Sequence, residues 1–316
     1  MRVLITGCAG FIGHGVARRL LGDGHEVVGL DNLTPYYSPA LKRARLADLG
    51  GLRGFAFHVV DVADFEGLER LLDGVDVVVH LAAQPGVRYS LRDPFVYERT
   101  NVAGLLHVLE AVHRRSPPPR LVWASSSSVY GGNRTVPFSE TDRVDDPLSL
   151  YAATKRAGEL LAHSYRHLYG LPAVGLRFFT VYGPWGRPDM AYWRFTEALL
   201  EDRPIEIYGS TAASRDMTYI DDIVDGVVAA VLRPVTDEIL NLGDAEPVTL
   251  ERLIGTIERA VGRAARRIEL PAQPGDVEAT FADVRRAGEV LGYAPRVRLD
   301  EGISRFVDWF KGWSGR

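Results

Sequence analysis

Between a short apolar run, Arg2 to Thr6, and a helical pattern reaching about Gly22, the chain places Gly7-Cys8-Ala9-Gly10-Phe11-Ile12-Gly13. Glycines at this spacing, between strand and helix, allow a tight turn and a close approach of the backbone to a bulky anion. The start of the helix offers that anion unpaired N–H groups and the positive end of the helix dipole. Glu26 to Leu30 reads as a second strand ending at Asp31. A carboxylate there accepts both ribose hydroxyls of NAD and repels a 2′-phosphate. Gly7, Gly10, Phe11, Ile12, Gly13, Asp31 and the adjoining Asn32 are therefore the first cofactor candidates.

Further strand-like runs are Phe55 to Val60, Val75 to Leu81, Arg120 to Ser125 and Ala173 to Phe179. Helical patterns separate them at Phe65 to Leu72, Asp93 to Arg114 and Tyr151 to Tyr169. Apolar strands alternating with helices predict an α/β fold with a doubly wound parallel sheet of the Rossmann type. After Gly183 two amphipathic helices, Met190 to Asp202 and Thr249 to Ala260, mix with short strands and Pro/Gly-rich loops. Ile239 to Leu242 is expected to return to the sheet. The division expected is 1–180 as the NAD-binding domain, with a return strand near 220–245, and 181–316 as a smaller, interleaved, mainly substrate-binding lobe.

Composition narrows the function classes. A net charge of −4 argues against a nucleic-acid-binding surface. Cys8 is the only cysteine, so no internal disulfide forms, which suits a reducing cytoplasm. Cys8 itself reads as a small loop residue. Arg18, Arg19, Asp23 and Glu26 interrupt the N-terminal apolar run, so neither a signal peptide nor a membrane span fits. No metal site is expected.

The chemistry is written in Tyr151-Ala-Ala-Thr-Lys155 and in the upstream run Ser125-Ser126-Ser127-Ser128. Residues four apart on a helix share one face. A phenol of pKa about 10 is a poor base at neutral pH, and a nearby ammonium favours its ionised form. A serine hydroxyl facing the pair holds a substrate oxygen, which makes a proton-transfer site for oxidising an alcohol. Asp61-Val62 follows the third strand, where an Asp can bond the adenine amino group, and Leu81-Ala82-Ala83-Gln84 follows the fourth, where small side chains leave room for a cofactor. Asn101 lies mid-helix, where asparagine is usually solvated or locally bonded.

Gly7 to Gly13, Asp31, Leu81-Ala82-Ala83, Asn101-Val-Ala-Gly104, the serine run before Val129-Tyr130-Gly131, and Tyr151-x-x-x-Lys155 resemble the extended short-chain dehydrogenase/reductase family, with its nucleotide-sugar epimerases and dehydratases. The resemblance extends through Arg215-Asp216 to Pro274-Gly275-Asp276. It implies that Ser126 and Tyr151 are catalytic, that Lys155 bonds the nicotinamide ribose and that Phe179 packs near the nicotinamide. It further implies that Arg215 binds the substrate pyrophosphate and Asp276 the nucleoside ribose. Arg215 paired on the surface with Asp216 or Asp221 is the other reading. A homodimer is implied too, with the helices at Asp93 to Arg114 and Tyr151 to Tyr169 as candidate surfaces.

Family dehydratases and decarboxylases carry an acidic residue just before the Val-Tyr-Gly segment, where this chain has Ser128. Hydroxyls do not replace a carboxylate as acid or base at the sugar's outer carbons, so epimerisation at C4 is the reaction expected. The stretches Tyr182 to Ala191, Ser149 to Lys155 and Gln273 to Val277 resemble UDP-glucuronate 4-epimerases. Thr180 and Gln273 depart from UDP-galactose epimerases, which carry Asn and Arg there. Ser127, Ser128 and Thr180 are expected to hold the C6 carboxylate. Arg187 either attracts that carboxylate or holds its loop, and Arg88 either reaches the substrate or is a solvated surface residue. Trp185, Tyr192 and Trp193 read as lobe packing rather than sugar platforms. A neutral or N-acetylated UDP-hexose, a net oxidoreductase or decarboxylase, and a non-catalytic nucleotide-binding protein are the alternatives.

Overall fold

A computed structural model describes residues 1–235, 239–273 and 277–315. The first half alternates strand and helix: β1 (Arg2–Thr6), α1 (Phe11–Gly22), β2 (Glu26–Asp31), α2 (Pro39–Gly50), β3 (Phe55–Val59), α3 (Phe65–Glu69) and β4 (Val77–His80). Then α4 (Pro94–Tyr97) runs through a π-helical stretch, Glu98–Ala103, into α5 (Gly104–His113), followed by β5 (Arg120–Ser126), α6 (Leu150–Tyr169) and β6 (Ala173–Phe178). The second half adds β7 (Thr180–Tyr182), α7 (Ala191–Leu200), β8 (Ile205–Tyr208), β9 (Ser214–Tyr219), α8 (Ile220–Leu232), β10 (Ile239–Leu242), β11 (Pro247–Thr249), α9 (Leu250–Val261), β12 (Arg267–Leu270), α10 (Arg285–Leu291) and α11 (Leu299–Ser314).

Seven strands form one parallel sheet in the order β10-β6-β5-β4-β1-β2-β3. The order reverses between β1 and β4, and the crevice outside their carboxyl ends is where a doubly wound sheet receives a ligand. Successive side chains of each strand enter opposite layers. Val3, Ile5, Val77, Val79 and Val122 join the core under α1 and α8, whereas Leu4, Val78, Leu121 and Trp123 join the core under α3, α5 and α6. Burial on both faces explains why these strands read as unbroken apolar runs.

Ile239–Leu242 lies in the main sheet as β10, beside β6, and α8 packs on α1. Thus α8 and β10, from the second half of the chain, complete the main sheet and its helical layer. The remaining strands form two small sheets, β11-β9-β7 and β12-β8, packed with α7, α9 and α11. Trp193 meets Phe310 and Tyr192 meets Phe306 edge to face in that lobe, Trp193 and Phe306 pack at a tilt, and Trp185 contacts Trp309 and Trp313. Among the described residues no helix is long and apolar enough to cross a membrane.

Two buried histidines make the fold sensitive to acid. Burial lowers His14 to about 4, against the opposing bond to Asp48, and lowers His80 to about 3, with Lys155 adding to the effect. Both folded values lie below the free imidazole value of about 6.5, so their contribution is present above that pH and lost as pH falls through it. As pH falls from about 6.5 to about 4, His14→Gln is expected to lose less melting temperature than the wild type. An unchanged slope in that variant would remove His14 from the account.

Candidate active site

The glycine loop is built so that nothing larger fits. Gly7 has φ of +72°, and a Cβ on it would lie 2.7 Å from the Ala82 amide nitrogen. A Cβ on Gly13 would lie 2.2 Å from the Gly7 carbonyl oxygen. The Gly7 and Cys8 amides donate to Leu30 O at 2.8 and 3.2 Å, tying the loop to β2. Gly10 caps α1 without a side-chain bond, which leaves the helix's first amides facing the crevice. Phe11 is buried and Ile12 half-buried behind them. Cys8 is buried and burial pushes its thiol far up, which fits a small, inert loop residue.

Around the strand ends a ring of polar groups closes on the same crevice. Asp31 is buried and its Oδ1 accepts from Leu33 N at 2.8 Å and Lys42 Nζ at 3.2 Å. Asn32 Nδ2 donates to Asp61 Oδ2 at 3.3 Å, and Asp61 also receives Arg99 and the Ala63 amide. Val62 is buried against Gly104, where a Cβ would clash with it at 2.7 Å. Thr6 Oγ1 pairs with His80 Nδ1 at 2.8 Å and accepts from Ala82 N at 3.1 Å, fixing the turn from β4 into Leu81, Ala82, Ala83 and Gln84. Asn101 stands in the π-helical stretch, a distortion frequent at functional sites. Its Oδ1 accepts from Gln84 N at 2.8 Å and its Nδ2 donates to Gln84 O and Thr154 Oγ1, so it clips this turn to α6 instead of pointing both groups at a ligand.

Helix α6 begins at a Ser149 cap, whose hydroxyl accepts from Ala152 N, and so presents Tyr151 and Lys155 one turn apart. The Tyr151 phenol shares a hydrogen bond with Ser126, at the end of β5. Burial pushes the phenol up, opposed by the Ser126 bond and by the charge of Arg187. Lys155 is lowered to about 8 by burial, and its Nζ donates to Ala124 O at 2.9 Å. The two influences holding Tyr151 down are thus Ser126 and Arg187, a part the sequence assigns to Lys155. Tyr97 packs its ring edge-on to Tyr151 at 6.2 Å and donates to Pro85 O at 2.7 Å.

Ser127 and Ser128 follow Ser126 in a single turn, with Ser128 N donating to Ser126 Oγ at 3.2 Å. The β5–β6 register pairs Ser126 with Phe178, and Thr180 opens β7 two residues further on. Phe179, between the two strands, is buried with Tyr130 and Phe138 in a small aromatic cluster. Arg187 forks onto Asp189 at 3.0 and 2.7 Å, and Tyr36 donates to the same carboxylate at 3.1 Å. Arg187 therefore both steadies its loop and faces the phenol. The Arg88 guanidinium lies 5.0 Å over the Tyr208 ring, bridging the loop after β4 to β8. Gln273 follows β12, the partner of β8, and is half-buried. Arg215 donates to Ser214 O at 2.8 Å from β9, while Asp216 turns inward to accept from Asp244 N and Ala282 N. Asp276 lies outside the described residues.

Residues the sequence does not single out complete the mouth. Lys42 and Arg45 come from α2, whose Ser38-Pro39 start is a helix signal. Arg45 is buried and donates to Ala9 O at 2.9 Å, Gly186 O at 2.9 Å, Tyr37 OH at 2.7 Å and the carbonyl of Trp185. It sews the glycine loop to the loop that carries Arg187. No sequence signal marks Arg45, Tyr36 or Asp189.

A glycine cradle at the reversal of a doubly wound sheet, beside a Ser–Tyr–Lys set whose Ser126 and Lys155 are buried and whose Tyr151 is half-buried, defines a nucleotide-dependent enzyme that moves protons at an alcohol. The chain belongs to the NAD dependent epimerase/dehydratase family, whose model matches residues 3–243. It is 46% identical to a probable UDP-glucuronate 4-epimerase of Rhizobium meliloti, over 98% of this chain and 97% of that one. The UDP-glucuronic acid 4-epimerase of Bacillus cereus, solved with UDP-glucuronic acid and NAD, superposes with a TM-score of 0.94 at 37% identity, covering 99% of this chain and 100% of that one. The UDP-glucose 4-epimerase of Thermotoga maritima superposes with a TM-score of 0.91 at 30% identity, covering 99% and 100%.

Gly13→Ala is expected to lower NAD affinity about tenfold or more, because the loop must open to admit the methyl group. Calorimetry on protein whose circular dichroism is unchanged checks this, and wild-type affinity would refute the cradle.

Proposed function

We infer that the chain interconverts UDP-glucuronate and UDP-galacturonate by epimerisation at C4, with NAD as resident cofactor. What carries the reading is the set Ser126, Tyr151 and Lys155 beside the glycine cradle, with hydroxyls at Ser127 and Ser128 where elimination chemistry needs a carboxylate. The cradle fits NAD: Gly10 to Gly13 suit the pyrophosphate, Asp31 and Asn32 the adenosine ribose, Asp61 and Val62 the adenine, and Leu81 to Gln84 with Lys155 the nicotinamide end. Bound there, NAD would supply the hydride acceptor for oxidation at C4 and the donor for the return reduction.

The chain's own residues do the rest. Ser126 holds the C4 oxygen and Tyr151, as phenolate, takes its proton and later gives it back. Ser127, Ser128 and Thr180 donate to the C6 carboxylate with Arg187 nearby, which restrains a β-keto acid intermediate against loss of carbon dioxide. Arg88, Arg215, Gln273 and Asp276 serve the nucleotide part. The substrate-facing half is residues 181–316 without the 220–242 return.

A homodimer is part of the same reading, supported by apolar side chains left exposed on its two candidate helices: Phe95 at 80%, Leu106 at 37%, Leu160 at 54% and Leu168 at 66%. Such exposure on adjoining helices marks an association surface. The cytoplasm is the compartment proposed.

Purified protein incubated with UDP-glucuronate is expected to give UDP-galacturonate by chromatography, without accumulating NADH. A UDP-pentose, or turnover of UDP-glucose or UDP-N-acetylglucosamine alone, would overturn the assignment. Because Arg187 favours the phenolate, Arg187→Met is expected to move the acid limb of kcat upward by about one pH unit and to raise KM for UDP-glucuronate. An unmoved limb would separate Arg187 from Tyr151. The double variant Phe95→Glu, Leu160→Glu is expected to sediment as a monomer where the wild type sediments as a dimer; a dimeric variant would exclude this surface.

A further inference from the structure

We propose that Ser125, Glu159 and Arg177 are positioning residues that hold Ser126, Tyr151 and Lys155 in register for proton transfer, a proposal that rests on the epimerase reading. Glu159 follows Lys155 by one helical turn, as Lys155 follows Tyr151, so all three leave α6 on one face. The first two serve the site, while Glu159 is buried beneath it, 4% exposed.

Arg177, from β6 and 2% exposed, meets Glu159 in a fork, Nε to Oε1 at 2.8 Å and Nη2 to Oε2 at 2.9 Å. Planar two-point pairing fixes orientation as well as distance. Ser125, from β5, donates its hydroxyl to Glu159 Oε1 at 2.6 Å. Burial would raise the Glu159 carboxyl, but the bonds and charge of Arg177 outweigh it and hold it ionised. The remaining Arg177 nitrogen, Nη1, donates to Tyr130 OH at 2.9 Å, and Tyr130 donates to Asn241 Oδ1 at 2.7 Å.

The consequence is geometric. Ser125 adjoins Ser126, which bonds the Tyr151 phenol, and Ala124 supplies the carbonyl for Lys155. Tyr130 ends the turn that carries Ser127 and Ser128. One carboxylate therefore ties the strand bearing the serines to the helix bearing the tyrosine and lysine. The groups that face Tyr151 itself are Ser126 on β5, Tyr97 ahead of the π-helical stretch, and Arg187 on the loop after β7.

Ser125→Ala removes only a hydroxyl. Glu159→Gln combined with Arg177→Met removes both charges together and strands neither. Both variants are expected to lose about 10- to 100-fold in kcat, the effect of a displaced catalytic group, with KM for UDP-glucuronate and NAD content unchanged. The acid limb of kcat moves to higher pH, because a loosened Ser126 bond no longer favours the phenolate. Wild-type kcat and limb in folded Ser125→Ala, whatever its melting temperature, would overturn the proposal. If the wild type itself leaves UDP-glucuronate unchanged, the epimerase reading fails alone. Tyrosinate absorbance, corrected with Tyr151→Phe, then reads the same phenol without turnover, and an unshifted titration in Ser125→Ala overturns the positioning role.

Discussion

A buried carboxylate–guanidinium pair, Glu159 with Arg177, stands where α6 crosses the sheet, and the site depends on that crossing. Taking two charges out of water is expensive, so such a pair persists only with good geometry and with its remaining polar atoms satisfied. Ser125, Arg156 and Tyr130 supply those bonds. Removing one partner alone typically costs about 3–5 kcal/mol, much of a domain's net stability. An apolar contact would cover the same area but would not fix the roll of the helix. That roll decides whether Tyr151 meets Ser126.

The opposite wall of the crevice is set by a different device. Three glycines let β1 turn into α1 with no side chain between the amides and a ligand. Thr6 and His80 lock the neighbouring strand ends, and Arg45 joins the loop to the segment that carries Arg187. The cofactor wall, the proton-transfer set and the loop on the substrate side are thus mechanically continuous. The small sheets are no free appendage, because α8 and β10 return between their strands to complete the main sheet and its helical layer.

The central strands of the sheet were legible because they are buried on both faces and read as plain apolar runs. The glycine loop and the Tyr151–Lys155 spacing were legible because each has a fixed local period. Helix α2 was not: its buried residues are Leu41, Lys42, Arg45 and Leu49, so charged side chains interrupt the apolar stripe that marks a helix. The Glu159–Arg177 pair was hidden for a related reason. Its members are distant in sequence, and isolated charges read as surface until the fold buries them together. The bonds of Asn101 to Gln84 and Thr154 make it a clip, which spacing cannot reveal. Arg187 forks onto Asp189, which fits the loop-holding reading, and its effect on Tyr151 is one that the sequence did not suggest.

Epimerisation by this route oxidises and reduces one carbon with the same hydride. UDP-glucuronate deuterated at C4, turned over in ordinary water and examined by mass spectrometry of both epimers, tests it most directly. Full retention of deuterium at C4 of UDP-galacturonate is expected. Loss of the label to solvent, or its recovery in free NADH, would contradict the account.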